Sequence, residues 1–288
     1  MKFFHYFPRK KGPTRKEILR KRFKNFVLEL RVRNFSNQSI DAYLYHNDRF
    51  LDFIKKEQRS ITSKDIKAYL NYLILGGAGP RTMNMAINSL KCYYESYLRK
   101  NIFKNIKRSK IPKDLTPVLP KEKVKAMIDN TNSLKHRLLI ELLYSSGMRV
   151  GECVKVKAGD IQDNIVFIRK GKGNKDRFTI TSRRFIDDLN QYLARRKQQS
   201  DYLFDNGFGE HITIRTAEEI VKLAAKRAGI KRRVYPHLLR ACFATHLLED
   251  GLPMHKIQRL LGHSDIKTTQ GYARGRTDDL KKIKSPLD

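Results

Sequence analysis

Between residues 109 and 120 the chain reads Ser-Lys-Ile-Pro-Lys-Asp-Leu-Thr-Pro-Val-Leu-Pro, with Pro112, Pro117 and Pro120 falling inside nine residues. Each proline removes a backbone donor and its ring crowds the preceding helical turn, so a helix cannot run through and an extended connection is favoured. Apolar spacing on both sides of this stretch is helical. The chain is therefore expected to form two mostly helical bodies joined by a linker at 109–120, and 288 residues suffice for both.

The first body is expected over 25–108. Phe26 and Leu30, then Tyr43, Leu44, Phe50, Leu51 and Ile54, recur at spacings of three, four or seven, as one face of a helix requires. Ser39 and Asp41 lie near the start of the second helix. Ile66, Tyr69, Leu70 and Leu73 form a third stripe, which Gly76-Gly77-Ala78-Gly79-Pro80 interrupts. Arg81 to Leu98 then reads as a fourth helix, with Ile87, Leu90, Tyr94 and Leu98 on its apolar side. Residues 1–24 are set apart as a basic N-terminal segment, dense in Lys and Arg from residue 9 onward. It reads as either a polyanion-contacting arm or a solvated helix face.

The second body is expected over 121–288. Leu138, Leu139, Leu142 and Leu143 mark a buried helix, and Gly147 suits its C-terminal cap. One β interruption stands out. Asn164–Arg169 is a short apolar run, Phe178 and Ile180 alternate with polar neighbours, and Gly171-Lys172-Gly173-Asn174 between them is turn chemistry. The fold class is thus mainly α, a helical N-terminal domain followed by a mostly helical domain with a small β-hairpin whose tip is basic.

Charge narrows the partner. The chain carries 61 Lys+Arg against 29 Asp+Glu, a formal net charge of +32. Such an excess repels itself unless a polyanion supplies counter-charge. Nucleic acid comes first, because phosphate contacts release condensed counterions. An anionic membrane surface is the rival, but no apolar run is long enough to span a bilayer and no signal peptide is evident. Cys92, Cys153 and Cys242 lie far apart and form no C-x-x-C pair, so neither a zinc cluster nor a disulfide framework is expected. Reduced thiols in a cytoplasmic protein follow. The phosphate-cradling Walker pattern is absent, so ATP is not implied.

Four polar motifs in the second body suit work on a phosphate. Arg149 follows the buried helix directly, and Glu152 lies one turn further on, within pairing distance if both sit on a helix. In Pro236-His237-Leu238-Leu239-Arg240, proline suits a first helical turn, and His237 and Arg240 point to one side. A planar guanidinium matches two phosphate oxygens, and an imidazole can share a proton. Lys172 and Lys175 stand near the hairpin tip. Leu260-Leu261-Gly262-His263 is followed nine residues later by Tyr272, and Gly262 is expected to end a helix and expose His263. Taken singly, each has an ordinary explanation as a surface arginine, a local ion pair or a half-buried core tyrosine. Their order and spacing carry the weight.

That order, Arg149 to Glu152, a Gly-Lys-Gly hairpin, His-x-x-Arg, Leu-Gly-His and then tyrosine, closely resembles the catalytic domain of tyrosine recombinases, and within that family the short Xer-type enzymes. The resemblance covers nearly the whole chain. Residues 25–108 resemble the family's SAM-like core-binding domain, including Pro80-Arg81-Thr82-Met83-Asn84 before a helix. It implies that Arg149 and Arg240 clamp the scissile phosphate and that His237 and His263 complete the phosphate site. Lys172 would protonate the leaving 5′-oxygen, Tyr272 would be the nucleophile, Glu152 would support, and Lys175 would contact phosphate. By the same analogy Arg81, Thr82 and Asn84 would read DNA. Gly151, Ala241-Cys242 and Gly271 depart from the usual pattern without removing a catalytic group, and Gly271 suggests a tyrosine segment disengaged without DNA.

The implied activity is site-specific recombination through a 3′-phosphotyrosyl intermediate, with no cofactor and no metal, serving chromosome-dimer resolution. A mobile-element integrase, a type IB topoisomerase variant and a DNA-binding protein without activity are the alternatives; the short chain, with no extra arm-binding domain, speaks against the integrase. The implied partners are a double-stranded recombination site and further copies of the chain, a tetramer in the synaptic complex. The C-terminal segment 277–288, with Leu280, Ile283 and Leu287 at helical spacing, would pack on a neighbouring protomer, a plain surface helix being the alternative. A cytoplasmic, nucleoid-associated location goes with this role.

Overall fold

The computed structural model of the chain describes residues 13–111, 118–169, 176–196, 200–262 and 284–288. The chain forms two compact units, Met1–Leu115 and Thr116–Asp288.

In the first unit the helices are α1 (Arg15–Arg22), α2 (Lys24–Val32), α3 (Asn37–Ile54), α4 (Ser63–Leu75) and α5 (Pro80–Lys91), the last running into a π-helical turn, Cys92–Tyr97. Local chemistry sets the starts. Thr14 and Glu17 cap α1 reciprocally, Thr62 and Asp65 do the same for α4, and Ser36 caps α3. Pro80 opens α5, where its missing N–H is no loss. Phe26, Leu30, Ile40, Leu44, Phe50, Ile66, Tyr69, Leu90 and Tyr94 bury together. Edge-on ring pairs bind this core, among them Phe26–Tyr93 at 4.9 Å and Phe50–Tyr69 at 5.2 Å. Such pairs add about 1 kcal/mol each beyond area burial. Part of the basic stretch joins this unit: Leu19 and Phe23 are buried, and Lys16 and Arg20 pair with Asp41 of α3 at 3.2 and 2.8 Å.

The second unit contains α6 (Lys121–Asp129), α7 (Leu134–Ser146), α8 (Val150–Cys153), β1 (Ile161–Gln162), β2 (Ile165–Ile168), β3 (Arg177–Ile180), α9 (Arg183–Arg195), α10 (Ile214–Arg227), α11 (Pro236–Glu249) and α12 (Met254–Leu261). The expected hairpin is present as β2 and β3, antiparallel with Phe167 opposite Phe178 and Ile165 opposite Ile180. A two-residue strand, β1, adds to β2 and gives the order β1-β2-β3. The hairpin tip lies outside the described residues.

Helix α7 is the axis of this unit. Every residue from Leu138 to Ser146 is buried. It packs on α11 through Leu142, Tyr144, Leu239 and Phe243, all within one cluster. Thr179 of β3 donates to the Ser146 carbonyl at 2.8 Å, and the Thr181 hydroxyl meets that of Ser145 at 2.8 Å, fastening the sheet to the end of α7. His246 of α11 bonds the Tyr144 hydroxyl at 2.7 Å and the Leu119 carbonyl at 2.9 Å, so the chain entering α6 is pinned to the same core.

Residues 284–288 fold back on their own unit. Leu287 is buried in its core, Ser285 donates to the Ser145 carbonyl at 3.2 Å, and Asp288 accepts the Arg183 N–H at 2.7 Å. Within the single chain this end of the segment packs in cis, and residues 277–283 lie outside the described ones. Among the described residues no helix is long and apolar enough to cross a membrane. Cys92, Cys153 and Cys242 are buried thiols.

Candidate active site

The end of α7 turns on Gly147, in the left-handed region at φ +60°. A side chain there would be strained and would collide with the Phe243 ring. This turn delivers Arg149 to the start of α8 in extended backbone, with its side chain partly open at 28% exposure. Glu152 curls back onto it: the carboxylate accepts the Arg149 N–H at 2.9 Å and its Nη1 at 3.0 Å. The pairing expected from their spacing is present.

Arg240 comes from the second turn of α11, which Pro236 opens as expected. It is 4% exposed. Its Nη1 donates to the Gly147 carbonyl at 2.6 Å and its Nη2 to the Leu261 carbonyl at 2.7 Å. The guanidinium thus links the turn that carries Arg149 to the end of α12. Burial and then the charges of Arg149 and Arg177 push Arg240 down to about 10, with Glu152 opposing, so it stays a cation at neutral pH. His237, one turn earlier, is exposed. Partial burial, then the charges of Arg240 and Arg149, hold it below its ordinary value. These mutual influences put Arg149, His237 and Arg240 in one electrostatic neighbourhood. Helix α12 ends at Gly262, at φ +64°, so the helix break expected before His263 is there.

Sequence reasoning passed over Arg177, the first residue of β3. It sits 11% exposed with both nitrogens on Glu152, Nη1 to Oε1 at 2.9 Å and Nη2 to Oε2 at 2.6 Å, and its Nε donates to the Leu260 carbonyl at 3.3 Å. Strand alternation was the available signal: it sets residue 177 on the side of Thr179, which is buried, and a charge on an inward side needs a partner. Burial alone would raise Glu152, but the bonds from Arg177 and Arg149 win and bring it down to about 2.

Lys172, Lys175, His263 and Tyr272 lie outside the described residues. Arg81 and Thr82 are exposed on the first turn of α5, in the other unit. Asn84 is engaged within that unit: its Nδ2 donates to the Ser109 carbonyl and its Oδ1 accepts the Ser109 N–H, each at 2.9 Å. Its amide holds the chain where it leaves the helical body. Among the described residues no three His, Cys, Asp or Glu side chains gather to hold a metal.

Fold and site together define a mostly helical domain in which Arg149, His237 and Arg240 lie in one electrostatic neighbourhood. Residues 117–278 match the phage integrase family, and residues 23–103 match the phage integrase N-terminal SAM-like domain. The chain is 34% identical over 275 residues to the tyrosine recombinase XerA of Pyrococcus furiosus, covering 93% of each chain. It is 30% identical over 279 residues to the tyrosine recombinase XerC of Staphylococcus epidermidis, covering 90% of this chain and 94% of that one. Among solved structures, a lambda integrase tetramer bound to a Holliday junction superposes with a TM-score of 0.69 at 18% identity, over 87% of this chain and 75% of that one, a likeness of fold. The chain belongs to the phage integrase family and, within it, to the tyrosine recombinases of Xer type.

Proposed function

We propose that this chain is a site-specific recombinase that cuts and rejoins double-stranded DNA through Tyr272, in the service of chromosome-dimer resolution. The observation that carries this reading is the meeting of Arg149, His237 and Arg240 about the Gly147 turn. Its relatives over nine-tenths of the chain are tyrosine recombinases of Xer type. Residues 25–108 form the core-binding domain, 109–120 the linker and 121–288 the catalytic domain.

The chemistry follows from charge. A phenol has a reference pKa near ~10, so about one in a thousand is ionised at neutral pH. Cations nearby favour the phenolate, and arginines stay charged. The Tyr272 oxygen attacks the phosphorus while Arg149 and Arg240 bind the non-bridging oxygens, on which negative charge builds. The P–O5′ bond breaks and Lys172 gives its proton to the leaving 5′-oxygen. His237 and His263 hydrogen-bond the phosphate, and Lys175 contacts the backbone nearby. The 3′-phosphotyrosyl ester retains the bond energy of the diester, so a 5′-hydroxyl from another duplex reseals the strand without ATP. Exchange between two duplexes needs four active subunits, which fits a nucleoid-associated cytoplasmic tetramer.

The test is a pool of nicked duplexes with randomised flanks, screened for protein–DNA adducts that survive denaturing electrophoresis. An adduct on a defined sequence, lost in Tyr272→Phe, is expected. No adduct from any member of the pool rejects the reading, and relaxation of plasmids regardless of sequence transfers the chain to the topoisomerases.

A further inference from the structure

Glu152 creates a problem for the site it supports. It is a carboxylate only 8% exposed, and it touches Arg149, the guanidinium that has to receive a DNA phosphate. A buried carboxylate with one cation beside it closes on that cation in a two-pronged pair, which satisfies both oxygens and removes the fork from other use. The observed geometry differs. Arg177 supplies one nitrogen to each Glu152 oxygen, at 2.9 and 2.6 Å, while the Arg149 side chain makes one bond, through Nη1. Among the described residues, Nε and Nη2 of Arg149 meet no acceptor, and that side chain stays partly open.

Arg177 is itself fixed from a third direction. Its Nε reaches the Leu260 carbonyl, and its stem runs against Gly262, where an added Cβ would stand 2.6 Å from the Arg177 Cδ. The space beside residue 262 is reserved for this arginine. One side chain thereby ties β3, α8 and the end of α12 together at the edge of the phosphate site.

We propose that Arg177 is a positioning residue for strand cleavage: by occupying both oxygens of Glu152 it stops that carboxylate from closing on Arg149 and leaves the Arg149 fork open to the scissile phosphate. The inference rests on Arg149 acting as a phosphate clamp. Arg177 does not touch the DNA in this scheme. It acts by satisfying the acid that would otherwise compete with the substrate.

A scheme of competition makes a prediction that simple loss of structure does not. Arg177→Met strands Glu152 on Arg149, so cleavage slows. Adding Glu152→Gln removes the competitor, so the double variant cleaves faster than Arg177→Met alone. Protonating Glu152 has the same effect as the amide, so the Arg177→Met defect shrinks as pH falls, whereas the wild-type acid is already held ionised far below that range. Arg177→Lys keeps a charge on Glu152 without the fork and falls between.

The experiment uses the full chain and the nicked duplex recovered from the randomised pool, with single-turnover adduct formation and duplex Kd measured on each variant. Arg177→Met is expected to slow adduct formation about a hundredfold, the scale of a misplaced reacting group, with Kd changed about threefold or less. The double variant is expected to regain about tenfold. Wild-type rates in Arg177→Met overturn the proposal, as does a double variant no faster than the single one. Should Arg177→Met fail to fold by circular dichroism, Arg177→Lys decides: a rate defect relieved by Glu152→Gln supports the scheme and an unrelieved one rejects it. If the wild-type chain forms no adduct at all, the clamp reading fails first and this inference falls with it; an active wild type with an indifferent residue 177 rejects the inference alone.

Discussion

His237 stands exposed at the start of α11 and is held below its ordinary value by partial burial and by two neighbouring arginines. In the free protein it is therefore harder to protonate than an ordinary imidazole. A phosphodiester carries the opposite charge to those arginines, so its arrival favours the imidazolium. NMR titration should give a pKa below 6.5 without DNA and an upward shift on adding duplex. A downward or null shift places this imidazole away from the phosphate. At this scale the sequence was legible where a motif had a fixed spacing. His237 and Arg240 at i and i+3, and Arg149 with Glu152, sit as their spacing requires. Arg177 was hidden because its meaning depends on register: only the pairing of β2 with β3 and the course of α12 put its charge beside Glu152, and neither is encoded locally.

At the scale of elements, the turn at Gly147 joins the buried α7 to Arg149, and two facts protect it, the left-handed φ and the Phe243 ring where a Cβ would go. Gly147→Ala is expected to cost about 3 kcal/mol from strain and overpacking together, read by urea denaturation. A cost under about 0.5 kcal/mol would mean the turn relaxes freely. Leu287 anchors the last residues in the core, so Leu287→Ala should cost about 2 kcal/mol; no loss would show the tail undocked in solution. Helices with one apolar stripe, such as α3 and α4, could be read from periodicity. Helix α7 was readable only as a run of leucines closed by glycine, because burial on all sides erases the period. The four-residue α8 and the two-residue β1 were not readable at all: their hydrogen bonds come from the fold around them and not from any pattern of their own.

For the whole molecule, a net charge of +32 makes DNA affinity a salt-sensitive quantity. Duplex affinity should fall by about three decades or more between ~50 and ~200 mM salt, as expected for six to ten phosphate contacts. A flat salt profile would remove the polyanion from the account. Acid stability follows from titrating groups of opposite sign. His46, His136, His237 and His246 all have folded values below 6.5, burial being the first cause for each. For them the unfolded chain binds protons more readily, so stability is full above 6.5 and is lost as pH falls below it. Glu141 runs the other way. Burial and then Asp188 raise it to about 8 despite Arg184, so it favours the folded state more as pH falls from 8 toward 4.5. Glu141→Gln removes that offset, and the drop in urea midpoint from about pH 7.5 to about pH 5.5 should become larger. An unchanged or smaller drop would place Glu141 as an ordinary ionised partner of Arg184.

Arg240 rivets the ends of two helices before any substrate arrives, through the Gly147 and Leu261 carbonyls. With the phosphate role proposed for Arg240, a substitution there is expected to wound scaffold and chemistry together, and the two injuries have separate signatures. Lysine keeps the positive charge but is a point donor on a flexible stem, so it can replace one strut and not the pair. Its melting point records the missing strut, and its turnover, corrected for the folded fraction, records the missing grip on the ester.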